Sequence, residues 1–166
     1  MKTASLNELK QELITLPPKE LLELCLRLAR FKKENKELLS YLLFESADEQ
    51  SYIESIKLFI TEEFLTVNKS ILYQAKKSIR KILRITNKYI RYSGSAIVEV
   101  ELLIHFCTTA RDSGIKINKS TALVNLYNNQ VKKINKAIIS LHEDLQFDYQ
   151  KQLDNLEILK KNFFHF

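Results

Sequence analysis

Apolar residues return at helical spacing along most of this chain, and the pattern divides it into a series of helices. Ser5 followed by Glu8 forms a capping box that opens a short helix over 6–14, and Leu16-Pro17-Pro18 ends it. Pro18 suits the first turn of a second helix, 18–33. On a wheel its apolar positions, Leu21, Leu22, Leu24, Cys25, Leu26, Leu28, Ala29 and Phe31, cover roughly 220°, which predicts packing on two sides. A third helix is predicted over 35–44. Ser46-Ala47-Asp48-Glu49 reads as a second capping box, opening a helix to about 66 with Tyr52, Ile53, Ile56, Phe59, Ile60 and Phe64 on one face.

A fifth helix, 69–92, closes at Ser93-Gly94 and sets Ile71, Leu72, Ala75, Ile79, Ile82, Leu83, Ile85, Tyr89 and Ile90 against an opposite, cationic face. A sixth, 96–113, stops at Gly114. Beyond Ile117, with Asn118 or Ser120 as the cap, the apolar stripe Tyr127, Val131, Ile134, Ile138, Leu141, Leu145 runs on through Tyr149, Leu156 and Leu159. Unbroken, that helix is about 60 Å long, against roughly 40 Å for a compact domain of this size. A break around His142 to Phe147 is therefore expected. The alternative is a helix that projects and joins two chains through residues 119–161.

Composition supports the helical reading. Two glycines and two prolines in 166 residues leave little material for the turns that sheets demand. The expected fold is a single all-α domain spanning 1–166, with six to eight helices in an irregular bundle or a short α-solenoid of helix pairs. The segments VNKS and INKS, near 67 and 117, each open a long helix, which is what makes a solenoid worth considering. Cys25 and Cys107 lie in apolar helical stretches as small hydrophobes, neither a disulfide framework nor a zinc pattern, and a cytoplasmic setting fits them. The longest run free of charge, STALVNLYNNQV, is too short and polar to span a bilayer.

Charge changes the picture more than composition does. Residues 1–63 hold nine basic and twelve acidic side chains, 64–142 hold fourteen and three, and 143–166 hold three and five. Between Glu63 and Glu99 there is no acid at all. Lys69, Lys76, Lys77, Arg80, Lys81, Arg84, Lys88 and Arg91 stand there, within about 140° of one helix. The candidate binding residues are Lys76, Lys77, Arg80, Lys81, Arg84, Lys88 and Arg91, facing an acidic protein segment or a nucleic-acid backbone, with Tyr73 and Tyr92 at the border. An acidic neighbour competes for them. A hairpin around Val67 is expected to bring Glu62 near Leu72 and Glu54 near Arg80.

Glu99 shares a helix face with Leu103, Phe106 and Ala110, so it reads either as a buried carboxylate paired with Arg84 or Arg91 or as a functional carboxylate in a pocket. Glu101 and His105 read as an exposed i,i+4 pair. No phosphate loop, nucleophile elbow or HExxH occurs, and no cofactor or metal is expected. The function class indicated is a non-enzymatic binding or adaptor protein. Its alternative is a homodimeric structural protein with a merely solvated basic face. Phe163, Phe164 and Phe166 are read as a cap on the core or an anchor for a partner.

Overall fold

The computed structural model describes residues 2–163, with side chains through 156. The aromatic tail therefore lies outside the residues whose side chains are described. Among the described residues the secondary structure is entirely helical: eight α-helices with two short connecting turns. Two compact units result, residues 1–44 and 45–166.

The first unit holds α1 (Leu6–Thr15), α2 (Pro18–Phe31) and α3 (Lys33–Ser40), then enters a π-helical turn, Tyr41–Glu45. The Ser5 capping box forms as expected, with the hydroxyl accepting from the Glu8 amide and the Glu8 carboxylate accepting from the Ser5 amide. α2 packs on α3 across a single extended residue, Lys32, and Asn35 Nδ2 ties the turn by donating to the Leu28 carbonyl at 2.9 Å. The two-sided packing expected of α2 is absent: none of its residues is buried, and Cys25 is only half-buried. At this size a chain segment encloses too little volume to cover its own apolar face.

The second unit comprises α4 (Glu49–Leu65), α5 (Leu72–Ser93), α6 (Ala96–Asp112), α7 (Thr121–Ile139) and α8 (Glu143–Phe163). α6 is its centre, packed on α4, α5, α7 and α8. That position explains a sequence apolar almost all round, with Val98, Val100, Leu102, Leu103, Ile104, Phe106, Cys107 and Ala110 all buried. The bundle buries Ile53, Ile60 and Phe64 from α4, Ala75, Ile79 and Ile82 from α5, and Ile134 and Ile138 from α7. Gly94 closes α5 at φ 64°, where a left-handed residue lets its amide reach the Ile90 carbonyl at 3.0 Å.

Three expectations shift. The cap of α4 is Asp48, whose carboxylate accepts from the Ser51 amide at 3.0 Å, rather than Ser46. The break expected around His142 to Phe147 is present but comes slightly earlier, so no continuous helix runs from 119 to 161. It falls at Ser140–His142, and the stripe Val131, Ile134, Ile138, Tyr149, Leu153 and Leu156 is buried inside the unit. The two NKS segments also part company. Asn68 Oδ1 accepts from the amides of Ser70 and Ile71 ahead of α5, whereas Ile117–Lys119 forms one turn of 3-10 helix before α7.

Candidate anion-binding surface

α5 is amphipathic because its apolar residues follow a 3.6-residue period and its charges fill the complement. Ala75, Ile79, Ile82, Thr86 and Ile90 face inward. The buried Thr86 hydroxyl donates to the Ile82 carbonyl, so no polar group is stranded beneath the cations. Lys77, Arg80, Lys81, Arg84 and Arg91 are exposed, and Lys76 and Lys88 are half-buried. Lys69 falls in the loop ahead of α5, outside the helix on which it was expected.

The expected pairing with α4 occurs once, and in a different register. Lys81 Nζ meets the Glu63 carboxylate at 3.0 Å, and the Tyr52 hydroxyl donates to the Tyr89 carbonyl at 3.0 Å. Glu54 therefore lies level with the end of α5, not with Arg80. The difference arises in the connection: Thr66–Ile71 stays outside both helices, which shifts the antiparallel pair by more than two turns. Glu54 instead pairs with Lys57 on its own helix, at 3.0 Å. Lys88 is engaged elsewhere, with its Nζ 5.3 Å from the Tyr89 ring centre and 5.9 Å from that of Tyr92.

Lys76, Lys77, Arg80, Arg84 and Arg91 form no ion pair among the described residues. At 100° per residue these five occupy about 100° of arc, and the two engaged lysines, 81 and 88, lie along its edge. From Lys76 to Arg91 the row is about 23 Å long. It borders two shallow grooves of about 670 Å³ each. The first is lined by Tyr73, Lys76, Lys77, Arg80 and Arg84. The second is lined by Arg84, Asn87, Arg91, Ser95, Glu99 and Lys133. Arg84 belongs to both. Lys133, from α7, is a cation that the wheel of α5 could not reveal. Its Nζ lies 3.5 Å from Asn87 Oδ1, while Asn87 Nδ2 donates to the Leu83 carbonyl.

Glu99 is half-buried rather than buried, and forms no ion pair with Arg84 or Arg91, although all three line one groove. The acid that locks helices together is Glu101. Lys57 from α4 meets its carboxylate at 2.8 Å, and the Tyr149 hydroxyl from α8 donates to it at 2.7 Å. Burial pushes the Glu101 carboxyl up, but the hydrogen bonds from Lys57 and Tyr149, with the lysine charge, outweigh this and hold it below its ordinary value. Burial likewise acts against the Lys57 charge and is overcome by Glu101 and Glu54, so its pKa is raised. His105, expected to pair with Glu101, shares a hydrogen bond with the Thr61 hydroxyl at 2.9 Å instead. Burial and the nearby Lys57 charge depress its pKa.

Among the described residues no group of three or more His, Cys, Asp or Glu side chains could hold a metal ion, and no helix is long and apolar enough to cross a membrane. No protein-family model matches the chain, and neither a curated protein nor a solved structure is similar enough to lend it a function.

Proposed function

We propose that this protein binds the phosphate backbone of a nucleic acid, without catalysis, through Lys76, Lys77, Arg80, Arg84 and Arg91 of α5. The observation that carries the reading is that these five cations share one face, four exposed and Lys76 half-buried, with no acidic partner among the described residues. Unpaired like charges on one helix cost stability, because each neighbour at i,i+3 or i,i+4 repels. A bound polyanion removes that cost.

The same face offers little to an acidic protein. Protein interfaces depend on an apolar centre that excludes water. Among the large hydrophobics of α5 only Tyr73, 74% exposed, is open to solvent. Binding to nucleic acid needs no such centre, since released counterions supply most of the affinity. The Tyr73 ring at one end of the row suits stacking on an unpaired base, which favours single strands. Fluorescence anisotropy with a labelled single-stranded oligonucleotide, across a salt series, tests the reading. An acidic peptide of equal charge serves as the competitor. Preference for the peptide would replace nucleic acid with an acidic protein as the partner.

A further inference from the structure

Away from α5, the first unit carries two apolar features that answer each other. α1 makes no substantial contact with another helix, yet Leu6, Leu9 and Leu13 share about 60° of its surface and are 86%, 46% and 41% exposed. Glu12 flanks this stripe on one edge and Lys10 on the other, and neither forms an ion pair among the described residues. α2, α3 and the turn after them enclose an open groove of about 580 Å³, with Leu26, Leu39 and Leu43 as apolar lining and Arg30 and Lys36 as exposed cations along it. One feature is a leucine stripe with Glu12 along one edge and Lys10 along the other. The other is a leucine-lined groove with a basic edge.

The link between them is extended, and α1 does not occupy the groove of its own chain. Leu16 and Pro17 are both extended, at ψ 141° and 147°, and each precedes a proline, which disfavours the helical conformation at both positions. We infer that α1 docks in the α2–α3 groove of a second copy of this chain, reciprocally, so that two copies exchange their first helices about a two-fold axis. The exchange is isologous: the same stripe and the same groove are used twice, which closes the assembly at two. Each contact is a helix-in-groove interface, with Leu6, Leu9 and Leu13 as anchors and Glu12 directed toward Arg30 and Lys36. It buries apolar surface that a unit of this size cannot cover alone.

Light scattering on the nuclease-treated full chain at high micromolar concentration tests the exchange. The expected mass is twice 19.5 kDa. Leu9→Asp with Leu13→Asp places carboxylates in the groove and raises the dimer dissociation constant roughly a hundredfold or more. No residue of α1 is buried in the monomer, so helical circular dichroism monitors any collateral loss of fold. Glu12→Lys weakens the dimer, and adding Lys36→Glu to it restores part of the loss. A monomeric unaltered chain, including one in which α1 folds onto its own groove, overturns the inference. So does a doubled mass that the Leu9→Asp, Leu13→Asp variant leaves intact.

Discussion

Lys57 and Arg84 are both cations on long amphipathic helices, and they have opposite fates. Lys57 meets Glu101 at 2.8 Å and Glu54 at 3.0 Å, joining α4 to the central helix, while the Tyr149 hydroxyl brings α8 to the same carboxylate. Arg84 meets no acid among the described residues and opens onto two grooves. Where α4, α6 and α8 converge, charge is used up in holding the bundle. Along the outer face of α5, Lys81 and Lys88 at the edge are the cations engaged among the described residues. The contrast separates charges that serve the fold from charges left over for a partner. The two groups should respond to substitution in opposite ways.

The largest effect is expected on the open face. Changing Lys77, Arg80, Arg84 and Arg91 together to Gln lowers single-stranded oligonucleotide affinity by roughly a hundredfold or more at low salt, and reduces the salt slope by about 2.8. Thermal stability is unchanged or slightly raised, because like-charge repulsion is relieved. Anisotropy and a melting curve on the same preparation check both halves. A variant that loses stability instead of affinity would break the distinction between the two regions.

Glu101→Gln should do the reverse. It costs about 2 kcal/mol of stability, since it weakens two charge-assisted hydrogen bonds in a partly buried site, and leaves oligonucleotide affinity as it was. Denaturant unfolding followed by circular dichroism measures the loss. The pH dependence carries a definite sign. The Glu101 pKa is lowered on folding from its ordinary 4.5, so its contribution is full above that value. It fades as pH falls through the lower folded pKa. The stability gap between the unaltered protein and Glu101→Gln should therefore close in acid. A gap that widened there would contradict the assignment.

Much of this architecture is legible in the sequence, and the parts that are not share a cause. Helical period and the scarcity of Gly and Pro reveal an all-α chain, and Gly94 takes the left-handed position its placement after α5 suggests. The break between α7 and α8 follows from the length of a compact domain. What a wheel cannot supply is the identity of a neighbour. Glu99 and Glu101 lie two positions apart on α6, about 200° around it, and each faces a different set of helices. On a central helix apolar nearly everywhere, local hydrophobicity does not say which acid meets a lysine. Lys133 was missed for the same reason, because it reaches the groove from another helix. The register of α4 against α5 depends on how many residues the connecting loop consumes, and helical period is silent on that.

Two smaller effects sharpen the comparison. Tyr73→Ala should weaken single-stranded oligonucleotide binding by about tenfold while leaving a duplex nearly unaffected, if the ring stacks on a base. Competition between the two probes reads this directly. Glu63→Gln removes the Lys81 ion pair between α4 and α5, whose lysine is 55% exposed, and should cost well under about 1 kcal/mol. It should also free Lys81 to join the open row, and so strengthen oligonucleotide binding slightly. A large loss of stability would mean that this edge pair belongs with the Glu101 group.

The central claim is that the open row on α5 binds a phosphate backbone, and the salt dependence of single-stranded oligonucleotide binding tests it most directly. Five cations, each neutralising one phosphate, predict that log K falls with log salt at a slope of about −3.5. Neutralising four of them should bring the slope near −1. Absence of binding at low salt, or a slope that the substitutions leave unchanged, would contradict the account.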